Sequence, residues 1–223
     1  SLIINQPFAG SLAAAAVLAV VGVLAGSRLL IALTPLALAS AIGGSTGYWH
    51  ASYMIAVSEP TLTIVLFFVL GLAAWVFAKS QTGLFHTLSV TFARMCVILV
   101  NFGFWVGSLW GDTPGRLWRD PTSTDYLASS AGQQIPPLVF VIGWAIALFA
   151  AGAWGAKNGR RFLVNTVAVF GGILLDYLFR QASEQSLREL LDAQMVALIA
   201  AADPDGPEAV TPTAVLETRF DIP

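Results

Sequence analysis

Apolar positions along the chain gather into six long stretches, at about residues 8–26, 29–46, 61–78, 95–110, 137–156 and 162–179, with very few charges inside them. A membrane-spanning helix needs about 20 mostly apolar residues, within a range of roughly 17–25. Five stretches reach or nearly reach that length, and the fourth does so once its less apolar start from about Leu88 is included. In hydrocarbon every backbone N–H and C=O must be satisfied by the chain itself, which leaves helices or a closed barrel. Barrel strands alternate polar and apolar over about 10 residues, and these runs do not alternate. The pattern therefore predicts an all-α fold. A polytopic transmembrane helical bundle of about six helices covers residues 1–179, and an acidic amphipathic helix with an irregular tail covers 180–223.

Punctuation between the stretches supports this. The first two meet at Gly26-Ser27-Arg28. A single helix over both would run about 57 Å at 1.5 Å per residue, too long for a hydrocarbon core of about 30 Å, so a tight helical hairpin is expected. Pro35 predicts a kink that neighbouring helices tolerate. GGSTG, residues 43–47, lacks the following Lys and preceding strand of a phosphate-binding loop and reads as a helix end or kink. Ser58-Glu59-Pro60 reads as an N-cap region with Pro60 at the first helical position. After Phe179, Leu187, Leu190, Leu191, Gln194, Leu198 and Ala201 keep helical spacing, so the sixth helix is expected to continue amphipathically. Asp203-Pro204-Asp205-Gly206-Pro207 ends it.

Composition narrows the class. The chain is 57% hydrophobic and 11% charged, with a mean hydropathy of +0.75, whereas soluble domains carry roughly 25% charged residues. A net charge of −2 and the lack of a basic stripe argue against nucleic acid. The expected partners are the lipid bilayer and a membrane protein or second copy of the chain. Cys96 is the single cysteine, so it forms no internal disulfide and reads as a small buried hydrophobe. The opening SLIINQPFAG has no Lys or Arg. A signal peptide would carry a basic region there, so the first stretch reads as a retained membrane helix.

Basic residues in short loops mark the cytoplasmic side. Alternate connections carry Arg28, then Lys79 with Arg94 nearby, then Lys157, Arg160 and Arg161. The intervening ones carry none at 47–60, and Arg116 with Arg119 at 111–136. That asymmetry predicts both termini outside. Tyr48, Trp49, Tyr53, Trp105 and Trp110 fall towards one interface, and Trp75, Phe77 and Trp154 towards the other, depths that amphipathic rings favour. The long connection 111–136, rich in Gly, Pro, Ser and Asp, is the body's expected docking surface.

Small residues recur every four positions at Gly143, Ala147, Ala151 and Gly155, and at Gly103, Gly107 and Gly111. Such ridges let membrane helices approach closely, so the fourth and fifth helices are expected to touch. Arg94, Asn101 and Ser108, spaced by seven, share a face and form a candidate polar track, since polar groups inside membranes are functional suspects. Arg94 is also able to snorkel to the interface. Asp176 and Arg180 are spaced for a helix-surface ion pair. Asn165 and Thr166 are expected to bond neighbouring helices. His50 and His86 fall on opposite sides, so they cannot ligate one haem iron, and HExxH, CxxCH and CxxC are missing. No catalytic, metal or cofactor site is expected, because no acid, base and nucleophile converge at one depth.

Two resemblances add to this. ILLDYLFRQASEQSLRELLDAQMVALIAAADPDG, followed by LETRFDIP, resembles the start of the extracytoplasmic sensor region of bacterial two-component histidine kinases, over residues 173–223. In that family a membrane helix leads into a long outer helix and a strand-rich domain. The family's second membrane helix, phospho-accepting His and ATP domain have no counterpart in this sequence, so kinase activity is not implied. WGDTPGRLWRD and KNGRRFLVNTVAVFGG are similar to uncharacterised multi-helix bacterial inner-membrane proteins, which implies no activity. The two resemblances meet near Gly172. The expectation is a non-enzymatic, multi-pass protein of the bacterial inner membrane with a sensing or complex-scaffolding role. The alternative is a small transporter or channel using the polar face of the fourth helix.

Overall fold

The computed structural model describes residues 5–49, 52–115 and 134–201, with side chains at 9–43, 57–115 and 134–199. Among these residues six helices and one hairpin follow in order: α1 (Asn5–Leu24), α2 (Arg28–Ala41), β1 (Gly44–Trp49), β2 (Ser52–Val57), α3 (Pro60–Ser80), α4 (Gly83–Trp110), α5 (Pro137–Lys157) and α6 (Arg161–Ala201). Helices α3, α4, α5 and α6 are each long and apolar enough to cross a membrane. Their outward faces are apolar too: Val65, Phe68, Ile146 and Phe149 are exposed, Phe149 to 80%. Water would penalise so large an apolar surface, whereas lipid does not. The chain is an all-α, multi-pass membrane protein.

The chain divides into two compact units, residues 1–172 and 173–223, and the division falls inside α6. In the first unit, α1 and α2 form the expected hairpin. Ser27 caps α2 by accepting the Leu30 N–H at 3.5 Å. Yet α2 has only 14 residues, about 21 Å, against about 32 Å for the 21 of α3. The apolar stretch read as continuing to residue 46 is therefore helical only to Ala41. Gly43 takes φ 86, a left-handed conformation that glycine alone adopts freely, and the chain leaves the helix there.

From Gly44 it pairs as an antiparallel hairpin, with Gly44 opposite Val57 and Trp49 opposite Ser52. The backbone N–H and the hydroxyl of Ser58 both donate to the Gly43 carbonyl, at 3.3 and 3.1 Å, closing the hairpin's base. Pro60 then opens α3 at its first turn.

The core of this unit lies where α2, α3 and α4 meet, around Ile42, Phe67, Cys96 and Leu99. Cys96 is fully buried and free, as a small hydrophobe. It sits against Gly71, where a Cβ would come within 2.9 Å of its own, so α3 and α4 run in close contact.

The end of the bundle beside the hairpin is tied by a pair of carboxylates. Glu59 is the N-cap of α3 but makes no side-chain cap bond. Instead Asp112, just past the end of α4, accepts the Thr61 N–H on Oδ2 at 2.8 Å. In return, Glu59 Oε2 accepts the Gly115 N–H at 3.1 Å. An anion at a helix N-terminus is also favoured by the helix dipole, so Asp112 caps α3 from another helix. Asp112 further exchanges two backbone bonds with Ile135, at 3.0 and 2.8 Å, which joins the two ends of the long connection. The turn into Asp112 needs Gly111. It has φ 72 and ψ −163, and a Cβ would lie 2.5 Å from the Ile135 carbonyl oxygen.

The second unit begins in α6 at Ile173. It carries the expected ion pair, Arg180 Nε to Asp176 Oδ2 at 2.8 Å. Both side chains are well exposed, so such a pair contributes only a few tenths of a kcal/mol. Thr166, expected to bond a neighbouring helix, donates to Phe162 of its own helix at 2.9 Å. A hydroxyl in a helix reaches back one turn readily. His50, Arg116, Arg119, residues 116–133 and the tail from 202 lie outside the described residues.

Candidate functional site

Three kinds of contact hold α4, α5 and the start of α6 together, and they leave a space beside α3. Between α4 and α5 the glycines receive aromatic rings. A Cβ on Gly107 would lie 2.4 Å from the Phe140 ring, and one on Gly143 would lie 3.3 Å from Phe104. The seam is locked by Trp144, whose Nε1 donates to Asn101 Oδ1 at 2.9 Å. Asn101 Nδ2 donates in turn to the Val97 carbonyl at 2.8 Å. Between α5 and α6 the Asn158-Gly159 turn brings Gly155 against Leu163 and Val164. At the same end, Trp75 of α3 meets Trp154 of α5 edge to face, with ring centroids 5.7 Å apart.

These contacts border a partly open cavity of about 850 Å³ between α3, α4, α5 and the first turns of α6. Its walls are mostly apolar, including Leu72, Val97, Phe104, Leu148 and Val167. Polar groups concentrate at one end, where Lys79, His86, Arg94, Arg160 and Arg161 all line it. Lys79 Nζ stands 3.6 Å from the centre of the Trp75 ring, and Arg94 Cζ lies 5.1 Å from that of Phe162, both within cation–π range. His86 Nδ1 lies 2.8 Å from the Ala78 carbonyl oxygen. A carbonyl only accepts, so this nitrogen carries the proton.

The residues singled out from the sequence divide around this cavity. Arg94 and Asn101 line it. Ser108 does not: it is fully buried one turn short of Gly111, and its hydroxyl donates to the Trp105 carbonyl at 2.7 Å. Among the small residues, Ala147 and Ala151 form part of the cavity wall. Gly103 faces α3, where a Cβ would lie 2.8 Å from Ile64. The helices α4 and α5 do touch, but through glycine against phenylalanine at Gly107 and Gly143, with Gly155 serving the turn into α6.

The cationic cluster at the cavity is the feature that sequence reasoning missed. Lys79, Arg160 and Arg161 were visible as loop charges, with Arg94 near them and His86 on the same side, but only the turns at 81–82 and 158–159 bring them to one opening. The Glu59–Asp112 exchange was also missed, since the partners are about 50 residues apart in the chain. No family model, curated protein or solved structure matches this chain.

Proposed function

We propose that this chain is a non-enzymatic protein of the bacterial inner membrane, with both termini outside, that senses a signal or scaffolds a membrane complex. The observation that carries the reading is the length and surface of α6. Its 41 residues are about twice what a membrane crossing needs. The second half keeps large apolar side chains uncovered: Leu187, Leu191, Val196 and Ile199 are 52–67% exposed. Glu184, Glu189 and Asp192 are interspersed. A helix with exposed apolar positions beyond the membrane length is suited to packing against another helix. The resemblance of residues 173–223 to a kinase sensor region supports the same reading.

The test is chemical cross-linking in native membranes followed by capture in mild detergent. A partner or second copy is expected to cross-link within residues 184–199, and Leu187→Glu with Leu191→Glu to abolish it. Recovery of this chain alone, with no signalling defect on deletion, removes the proposal.

The transporter reading draws on Arg94 and Asn101 lining the cavity. It needs a polar track that continues, whereas Asn101 is engaged by Trp144 and Val97, and Ser108 points its hydroxyl at Trp105. Liposomes containing the protein are accordingly expected to show no flux of ions or small solutes, and Arg94→Ala no change.

A further inference from the structure

Among the described residues of the first unit, the basic end of the bundle has no counter-charge of its own. From residue 1 to 111 the chain contains one acid, Glu59, and from 137 to 175 it contains none. Glu59 lies at the opposite end, bonded to Gly115. Among the described residues no ion pair involves Lys79, His86, Arg94, Arg160 or Arg161, and the single pair is Asp176 with Arg180. Lys79 and Arg94 meet ring faces, His86 meets a carbonyl, and together with Arg160 and Arg161 they line one opening. Like charges gathered at a low-dielectric wall repel one another, and an anion placed among them relieves that repulsion.

The cavity behind the opening is apolar and has a telling length. Beyond Arg94 it continues along α4 to Phe104, ten residues or about 15 Å. That is half of a hydrocarbon core of about 30 Å, the depth of one leaflet. Ala147 and Ala151 keep its far wall open, and its volume of about 850 Å³ is in the range of ligand sites, roughly 300–1,000 Å³. A soluble anion would satisfy the rim and leave the walls unused.

We propose that the cavity is a binding site for one anionic phospholipid of the leaflet at the basic end, with its phosphate among Arg94, Arg160 and Arg161 and one acyl chain along Val97 to Phe104. Basic pockets between membrane helices hold lipid head groups by this chemistry. The site goes beyond the sensing or scaffolding reading and stands without it.

The test is native mass spectrometry of the purified full chain in detergent, titrated with phosphatidylglycerol, phosphatidylcholine or the free head group glycerophosphoglycerol. One phosphatidylglycerol is expected to bind at least tenfold more tightly than phosphatidylcholine, and the free head group to show no binding. Arg94→Gln, Arg160→Gln and Arg161→Gln should each weaken phosphatidylglycerol about fivefold. Ala151→Phe, which fills the cavity and keeps every charge, should weaken it at least tenfold. Lys157→Gln, a basic-end charge that does not line the cavity, should leave it unchanged. Each variant's melting temperature shows that it is folded, and Ala147→Phe replaces Ala151→Phe if the latter unfolds. Equal losses from Lys157→Gln and the three arginine variants would mean general attraction to a charged interface and overturn the site. Unchanged binding in the cavity-filling variant, or binding of the free head group as tight as the lipid's, overturns it as well.

Discussion

The hydrogen bond from Trp144 to Asn101 joins α5 to α4 in the apolar middle of the bundle, and its contribution is measurable by a double-mutant cycle. Trp144 is fully buried and Asn101 is 8% exposed, so neither group has water as an alternative partner. Asn101→Ala leaves the indole N–H unsatisfied, which costs about 1–3 kcal/mol, plus the packing lost with the amide. Trp144→Phe removes the donor and part of the ring volume. The pairwise term is smaller than either loss. Interhelical hydrogen bonds in membrane proteins average about 0.6 kcal/mol by this method and reach about 1.7 kcal/mol. At 2.9 Å with both partners buried, a coupling of about 1–1.7 kcal/mol is expected. The assay is reversible SDS titration in bicelles for the wild type, both single variants and the double variant. The double variant should unfold at a lower SDS fraction than wild type, but should lose less stability than the two singles together. Independent sites add to within about 0.3–0.5 kcal/mol, so a coupling below about 0.3 kcal/mol would refute the argument that this bond locks the seam.

The same titration checks two further contacts. Gly107→Ala places a Cβ within 2.4 Å of the buried Phe140 ring. Overpacking costs about 1–3 kcal/mol against a helix-propensity gain of about 1 kcal/mol, so the net change should be neutral to destabilising by about 2 kcal/mol. Gly171→Ala, with nothing within 4 Å of the new atom, should be neutral or stabilising, and the order of the two should not reverse. Asp112→Ala removes the cap on the Thr61 N–H and should cost about 0.5–2 kcal/mol. Asp112→Asn, which keeps an acceptor, should cost less, and equal losses would show that the cap bond contributes nothing.

How far the sequence could be read depended on the range of the interactions involved. The helices were legible because an apolar run of spanning length has one stable backbone solution in lipid. Local signals were legible as well: the turn at Gly26-Ser27, Pro60 at the first turn of α3, Arg180 one turn after Asp176. The hairpin was hidden because GSTGYW and SYMIAV are separated by His50 and Ala51, which lack the Asn-Gly or Asp-Gly signature of a tight turn. Their aromatics read equally well as interfacial anchors. Small-residue spacing revealed that Gly107 and Gly143 sit on close-packed faces, but not that phenylalanines would fill them. Spacing by seven put Arg94, Asn101 and Ser108 on one face of α4. It could not show that the cavity ends before Ser108, because that depends on where Phe140 and Trp144 arrive from α5. The capping of α3 by Asp112 and the cationic opening both require distant turns to be in place.

The shortness of α2 bears on how the chain threads the membrane. Its two ends are fixed by contacts. At its start, the side chain of Leu84, one residue into α4, lies 3.4 Å from where a Cβ on Gly26 would stand. At its end, Ser58, two residues before α3, bonds to Gly43. The helix therefore connects the basic end to the hairpin end although it is about 10 Å shorter than α3. A bilayer meets such a mismatch by thinning locally or by snorkelling of flanking residues, and Arg28 is placed to do the latter. Single cysteines in a Cys96→Ala background test this with a membrane-impermeant maleimide. Gln81→Cys and Asn158→Cys, at the two basic turns, should label from the same side, and Thr113→Cys from the other. Ser27→Cys should label from the side of Gln81, but more slowly, because its helix is too short to carry it fully to the surface. Labelling of Ser27→Cys from the side of Thr113 would mean that α2 does not cross, and the basic residues could no longer be assigned to one face of the membrane.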